Sequence, residues 1–196
     1  MNLVRIEIPM PIRTPRLLIK PREVGEGATI AKAVNESLDI LKPFMIFAQR
    51  AATLDEMEEH CRESIAEFDA RSELTLSIYD LSGKVFIGST GFHRIKWKIP
   101  SFEIGYWVHK DFQGLGYISE AVNALTRYAF GQLSAKRVEI RCDARNSRRL
   151  KVMSNMGYVQ EGILRLSVAA VDGSIADDVV SARYDLAGLP DLEVKW

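Results

Sequence analysis

Between residues 101 and 131 the chain passes from a strand-like pattern to a helix-like one through almost no linker. Phe102, Ile104, Tyr106 and Val108 alternate as on one face of a strand. From residue 116 onward, Ile118, Ala121, Val122, Leu125 and Ala129 recur at helical spacing. Between them stands Gln113-Gly114-Leu115-Gly116. A helix start leaves its first backbone N–H groups without intrahelical partners. Glycine at 114 and 116 removes the Cβ atoms that would keep an anion away from those groups, and the helix dipole favours negative charge there. The turn therefore reads as a phosphate cradle. A second reading stands beside it, in which the two glycines only make a tight turn, because a lone Gly-x-Gly is weakly specific.

The remaining pattern sets the company this unit keeps. Residues 16–20 read as a short first strand between Pro15 and Pro21, and residues 24–38 and 53–70 as helices. In the second helix Leu54, Met57, Cys61, Ile65 and Phe68 form a stripe, and Thr53 with Glu56 spells a capping box. Strands are predicted at 74–80 and 85–95, joined through Leu81-Ser82-Gly83, and at 137–142. A helix follows at 147–156, then strands at 158–168 and 176–184 around Asp172-Gly173. The order β-α-α-β-β-β-α-β-α-β-β describes one mixed α/β domain with a largely antiparallel sheet. No linker divides residues 1–196, so a single domain is expected, with 1–13 as an N-terminal extension and 186–196 as a C-terminal tail.

Charge narrows the partners. Lys and Arg number 26 and Asp and Glu number 26, so the formal net charge is zero. A protein that lives on a nucleic-acid backbone needs a basic surplus or stripe, and here basic residues cluster only locally, within 5–22 and 141–149. Nucleic acid is not an expected partner. The N-terminus lacks the apolar run of a signal peptide, and no apolar stretch is long enough to span a bilayer. Cys61 and Cys142 lack Cys-x-x-Cys spacing and read as reduced thiols. A cytoplasmic protein without membrane contact and without a metal is the expectation.

Two other phosphate-binding folds fit poorly. A dinucleotide-binding turn would put its third glycine at Ser119, and its strand would be buried on both faces and would enter the glycines directly. Here the strand alternates, and Lys110–Gln113 intervene. A Walker A loop is absent, since no Gly-x4-Gly-Lys-Ser/Thr occurs. A further element follows the glycine helix and one strand: Asn146, then a helix, then Gly157-Tyr158. Alone, Asn146 is a helix N-cap and Gly157 a helix terminator.

Together, Glu103-Ile-Gly-Tyr-Trp-Val, Gln113-Gly-Leu-Gly-Tyr and Asn146…Gly157-Tyr158-Val-Gln-Glu161-Gly162 resemble the GCN5-related N-acetyltransferase (GNAT) family. The chain is most similar to the branch of RimJ/RimL-type ribosomal-protein N-terminal acetyltransferases, whose first strand Thr14-Pro-Arg-Leu-Leu-Ile-Lys-Pro-Arg22 resembles. The matches run in order over 14–185. The resemblance implies the acyl-CoA N-acyltransferase fold, with about seven strands flanked by about four helices. It implies direct transfer of acetyl from acetyl-CoA to a primary amine, either a protein N-terminus or a small molecule.

Site residues follow from the resemblance. Gln113, Gly114, Leu115, Gly116, Tyr117 and Ile118 would hold the pyrophosphate. A bulge near Trp107 and Val108 would pair with the pantetheine arm and aim one N–H at the thioester oxygen. Asn146 would contact the pantetheine end. Glu103 is the first candidate for the base, acting through water, beside the alternative of a sheet-surface carboxylate or salt-bridge partner. His93 and His109 are further candidates that read equally as ordinary polar positions, and Cys142 reads as core. Where relatives carry a Ser or a Tyr as proton donor, this chain has Arg149 and Met153. Arg149 could stabilise a thiolate or pair with a phosphate, while Tyr117, Ser154 or water could protonate the sulfur. The acceptor would lie between residues 24–70 and 169–176, with Phe44, Met45 and Phe47 lining it or making core or homodimer contacts. A non-catalytic acyl-CoA-binding module that lost its proton donor is the alternative function.

Overall fold

Side-chain alternation builds one sheet, and the helices that follow it cover both faces. The computed structural model describes residues 6–196. The strands are β1 (Ile12–Arg13), β2 (Leu17–Pro21), β3 (Leu74–Asp80), β4 (Phe86–Lys96), β5 (Ser101–Val108), β6 (Arg137–Asp143), β7 (Val159–Ala169) and β8 (Ile175–Arg183). The helices are α1 (Gly27–Glu36), α2 (Leu38–Leu41), α3 (Leu54–Ala70), α4 (Tyr117–Gly131) and α5 (Ser147–Asn155). In the sheet the strands lie in the order β1-β2-β3-β4-β5-β6-β8-β7. Neighbours are antiparallel except β5 and β6, which α4 connects as a crossover. The mixed fold with a mostly antiparallel sheet is as expected, with β1 making an eighth strand.

Even-numbered positions of β3 and β5, such as Leu76, Ile78, Phe102 and Ile104, pack with α4 residues Val122, Leu125 and Tyr128 in the main core. Tyr79, Phe86 and Trp107 point to the other face and meet Ile30, Val34 and Cys61 of α1 and α3. One helix prediction needs adjustment. The helix expected over 24–38 breaks at Ser37, which is fully buried and whose hydroxyl accepts the Lys110 N–H at 3.0 Å. The Thr53–Glu56 capping box forms as the sequence reads, with Thr53 Oγ1 accepting the Glu56 N–H and Glu56 accepting the Thr53 N–H.

The expected extension and tail carry core residues. Ile12 is fully buried in β1, and Leu189 is buried. Arg13 and Lys195 exchange backbone hydrogen bonds, and the Trp196 ring sits edge-on to Tyr128 at 5.3 Å.

β5 and β6 pair only over Ser101↔Arg137, Phe102↔Val138 and Glu103↔Glu139. Beyond Glu103 they part, and a gap opens in mid-sheet below α4 and α5. The bulge expected near Trp107 and Val108 is not there: both residues pair in register with Ser89 and Gly88 of β4. In the β4–β5 ladder the irregularity lies instead between His93 and Lys96 on β4, where Arg94 takes a left-handed φ of 48°. What frees the edge of β5 is thus the loss of its β6 partner. His109 donates its N–H to Ile87 on the β4 side. Strand parity then turns the N–H and C=O of Ile104, Tyr106 and Val108 toward the gap, and those of Trp107 toward β4.

Candidate active site

The cradle turn is shaped by its glycines. Gly114 and Gly116 have φ of +74° and +81°, a region other residues enter only with strain. A Cβ at Gly114 would meet nothing within 4 Å, so the surface there is open to a ligand. Gly116 caps α4 without any side-chain hydrogen bond, and the first helical bond runs from the Glu120 N–H to the Gly116 carbonyl. The N–H groups of residues 117–119 are therefore left for an external acceptor. Gln113, Gly114, Gly116, Tyr117 and Ile118 line a cavity of about 580 Å³. Leu115 does not: its side chain is exposed, and its carbonyl accepts from Arg16 at 2.9 Å.

Two groups of residues at this end escaped the sequence reading. Arg16 bonds the Glu120 carboxylate through Nε at 2.5 Å and lies 4.5 Å over the Tyr117 ring. Glu120 also accepts from the Thr14 hydroxyl at 2.5 Å, so the Thr14-Pro-Arg motif pins the start of α4. Arg148 and Lys151 on α5 line the same cavity, and Arg148 donates to the Gln113 side chain at 3.0 Å. The basic run around 141–149 was the available signal. Read as a linear cluster it has no direction, and only the α5 face shows that part of it flanks the cradle.

The cavity runs from the cradle into the gap, where Tyr106, Trp107 and Val108 border it on one side and Asn146 and Arg149 on the other. Asn146 is the N-cap of α5, its side-chain oxygen accepting the Arg149 N–H at 3.0 Å. A second cavity, of about 270 Å³, is bordered by Pro43–Ile46, by Val168–Val171 and by Glu103, Arg94, Arg141 and Asp178. These are parts of the two segments expected to form an acceptor pocket. Phe44 and Met45 border both cavities, as do Asn146 and Arg149. Phe47 instead packs against Trp107, with ring centroids 6.1 Å apart.

Glu103 borders this second cavity with its carboxylate 3.1 Å from the Arg94 guanidinium. Burial pushes its pKa above the ordinary carboxylate value, and Glu139 on the adjoining strand adds to the rise against the pull of Arg94, Arg149 and Arg141. The histidines are held elsewhere. His93 bonds Glu73 at 2.6 Å, and His109 bonds Glu36 at 3.0 Å and accepts the Asp111 N–H. Cys142 is buried with its sulfur 3.7 Å from that of Met153, and its thiol is pushed up to about 11, chiefly by burial. Tyr117 stays at the cradle end, and Ser154 borders neither cavity.

Fold and cavities together define a mixed α/β domain whose split sheet carries a groove that meets a smaller pocket bordered by a carboxylate. Residues 16–159 match the model of the acetyltransferase (GNAT) domain, and the chain belongs to that family. It is an acetyl-CoA-dependent N-acetyltransferase. It is similar to the probable N-acetyltransferase YjcK of Bacillus subtilis (strain 168), with 27% identity over 154 residues, 78% of this chain and 85% of that protein. A ribosomal-protein-serine acetyltransferase of Escherichia coli (strain K12) is 34% identical over 79 residues, 40% of this chain and 44% of that one. Among solved structures, RimL, a ribosomal L7/L12 α-N-protein acetyltransferase in complex with coenzyme A, superposes with a TM-score of 0.82 at 20% identity, covering 89% of this chain and 97% of that one. The microcin C7 self-immunity acetyltransferase MccE, in complex with acetyl-CoA and AMP, gives 0.81 at 19% identity, covering 87% and 93%. Among the described residues no helix is long and apolar enough to cross a membrane.

Proposed function

We propose that this enzyme acetylates the N-terminal α-amine of a protein, with Glu103 as the base and the 113–118 turn as the coenzyme cradle. The observation that carries the reading is the second cavity, which opens beside the Glu103 carboxylate and gives the amine of an acceptor a place next to the base. The similarity to a ribosomal-protein-serine acetyltransferase supports the same reading and makes ribosomal proteins the first acceptors to test.

Acetyl-CoA supplies an activated acetyl thioester. The residues around it divide the work. N–H groups of 117–119, with Arg148 and Lys151, would hold phosphate charge at the mouth. The gap-facing edge of β5, including the Val108 N–H, offers backbone groups that would bind the amide-bearing arm. Glu103 takes a proton from the incoming ammonium, directly or through one water, so that a neutral amine attacks. Arg149 serves electrostatically.

The test is thiol release with acetyl-CoA and a panel of short peptides differing in their first residue, set against free amines. Acetylation at peptide N-termini, located by mass spectrometry, is the expected result. Acetylation of small amines with every peptide left untouched would remove the proposed acceptor class and leave the family assignment standing.

A further inference from the structure

In a regular strand successive side chains point to opposite faces, so His93, which pairs across the ladder with Glu103, should share its face with Glu103 and leave Arg94 on the other. The irregularity between His93 and Lys96 breaks that alternation. With its φ of 48°, Arg94 brings its guanidinium to 3.1 Å from the Glu103 carboxylate. Bulges re-aim side chains in this way, but a left-handed φ is strained for arginine and persists only where its surroundings over-determine it. Glu73, the residue before β3, supplies that constraint. One of its carboxylate oxygens accepts the Arg94 N–H at 3.1 Å, and the other lies 2.6 Å from His93 Nδ1. Gly105 makes room for the arrangement, since a Cβ there would come within 2.6 Å of the His93 ring. One carboxylate thus holds both residues of the bend, and it borders neither cavity itself.

We propose that Glu73 is a positioning residue for the base: it fixes the His93–Arg94 bend and so keeps the Arg94 guanidinium beside Glu103. This rests on the reading of Glu103 as the base. The charged and titratable groups that face Glu103 are Arg94 and His93 on β4, Glu139 and Arg141 on β6, and Arg149 on α5, with Asp178 of β8 on the same cavity. Burial raises the Glu103 pKa, and Arg94 is the foremost charge that pulls it back down. With Arg94 out of place the value rises further, and less of the base is ionised at neutral pH. The direct effect of the Glu73 charge has the opposite sign. One carboxylate raises the pKa of another, so deleting Glu73 as a mere charge would lower that of Glu103. The direction of the shift therefore tells positioning from simple electrostatics.

Glu73→Ala should move the acidic limb of kcat/KM upward by about one pH unit, the low end of what an opposite charge at this distance commands, with KM for acetyl-CoA little changed. In the Arg94→Ala background the same substitution should raise the limb no further. Glu73→Gln keeps an oxygen for the Arg94 N–H and an amide for His93 Nδ1, and should restore the wild-type limb although it carries no charge. Titration of the Glu103 carboxyl carbon by NMR follows the same variants without turnover. A limb and a carboxyl titration that stay put or move downward in Glu73→Ala overturn the positioning role. So does an upward shift that persists in the Arg94→Ala background, or one that Glu73→Gln fails to reverse. If the carboxyl titration moves as expected while Glu103→Gln keeps the wild-type rate limb, the base reading falls and this proposal with it.

Discussion

Glu103 combines two opposing influences. Its burial and the facing Glu139 raise its pKa, and Arg94 at 3.1 Å lowers it, with burial the larger. A base works in its ionised form, so activity should fall as pH drops through this elevated value. Glu103→Gln should cost about 100-fold in kcat and flatten the acidic limb of the pH–rate profile. A mutant with the wild-type limb would place the base elsewhere. Arg94→Ala removes the counter-charge and should move that limb to higher pH. The cysteines give a second check. Both are buried, and burial raises both thiols, that of Cys142 to about 11. At pH 8 the native protein should react slowly with a thiol-specific disulfide reagent and release two equivalents promptly once unfolded. Fast modification of the native protein would contradict the burial. The sequence alone marks Glu103 as a polar position on an alternating strand. It does not reveal Arg94, because that contact depends on the irregularity in β4.

The elements differ in how openly they announce themselves. α3 was legible to its cap, because Thr53 and Glu56 act over three residues. Thr53→Ala should therefore cost about 1 kcal/mol in a denaturant melt, without touching donor affinity. β3 through β6 were legible within a residue or so, since alternation persists over many positions. β1 has two residues and so no period to read. The break in α1 depends on Ser37 meeting Lys110, a contact between segments more than seventy residues apart. The cradle lies between these extremes: glycine spacing marks it, yet its anchoring by Thr14 and Arg16 to Glu120 does not show in one dimension. Gly114→Val should reduce coenzyme A affinity more than tenfold by calorimetry. The left-handed φ of +74° adds a stability cost of about 1–2 kcal/mol. Equal affinity in that variant would contradict the cradle.

At the scale of the molecule, residues 12–13 and the C-terminal segment 189–196 are fastened to the core rather than trailing from it. Removing residues 195–196 takes away the backbone pairing with Arg13 and the ring against Tyr128, and should lower the melting temperature by several degrees. An unchanged melt would show that these contacts add nothing. The gap in the sheet has a different consequence. β5 and β6 are joined by three residue pairs, and beyond Glu103 no ladder links the two halves of the sheet. On the proposed reading a donor lying in the gap would be the missing rung between them, and the protein would close its own seam with its substrate. Amide exchange at Ile104, Tyr106 and Val108 should then slow on filling, and at a hundred times the dissociation constant the fold should gain about 2.7 kcal/mol. Resistance to unfolding in this enzyme thus becomes a gauge of donor supply, and an unloaded molecule is the one most exposed to proteolysis.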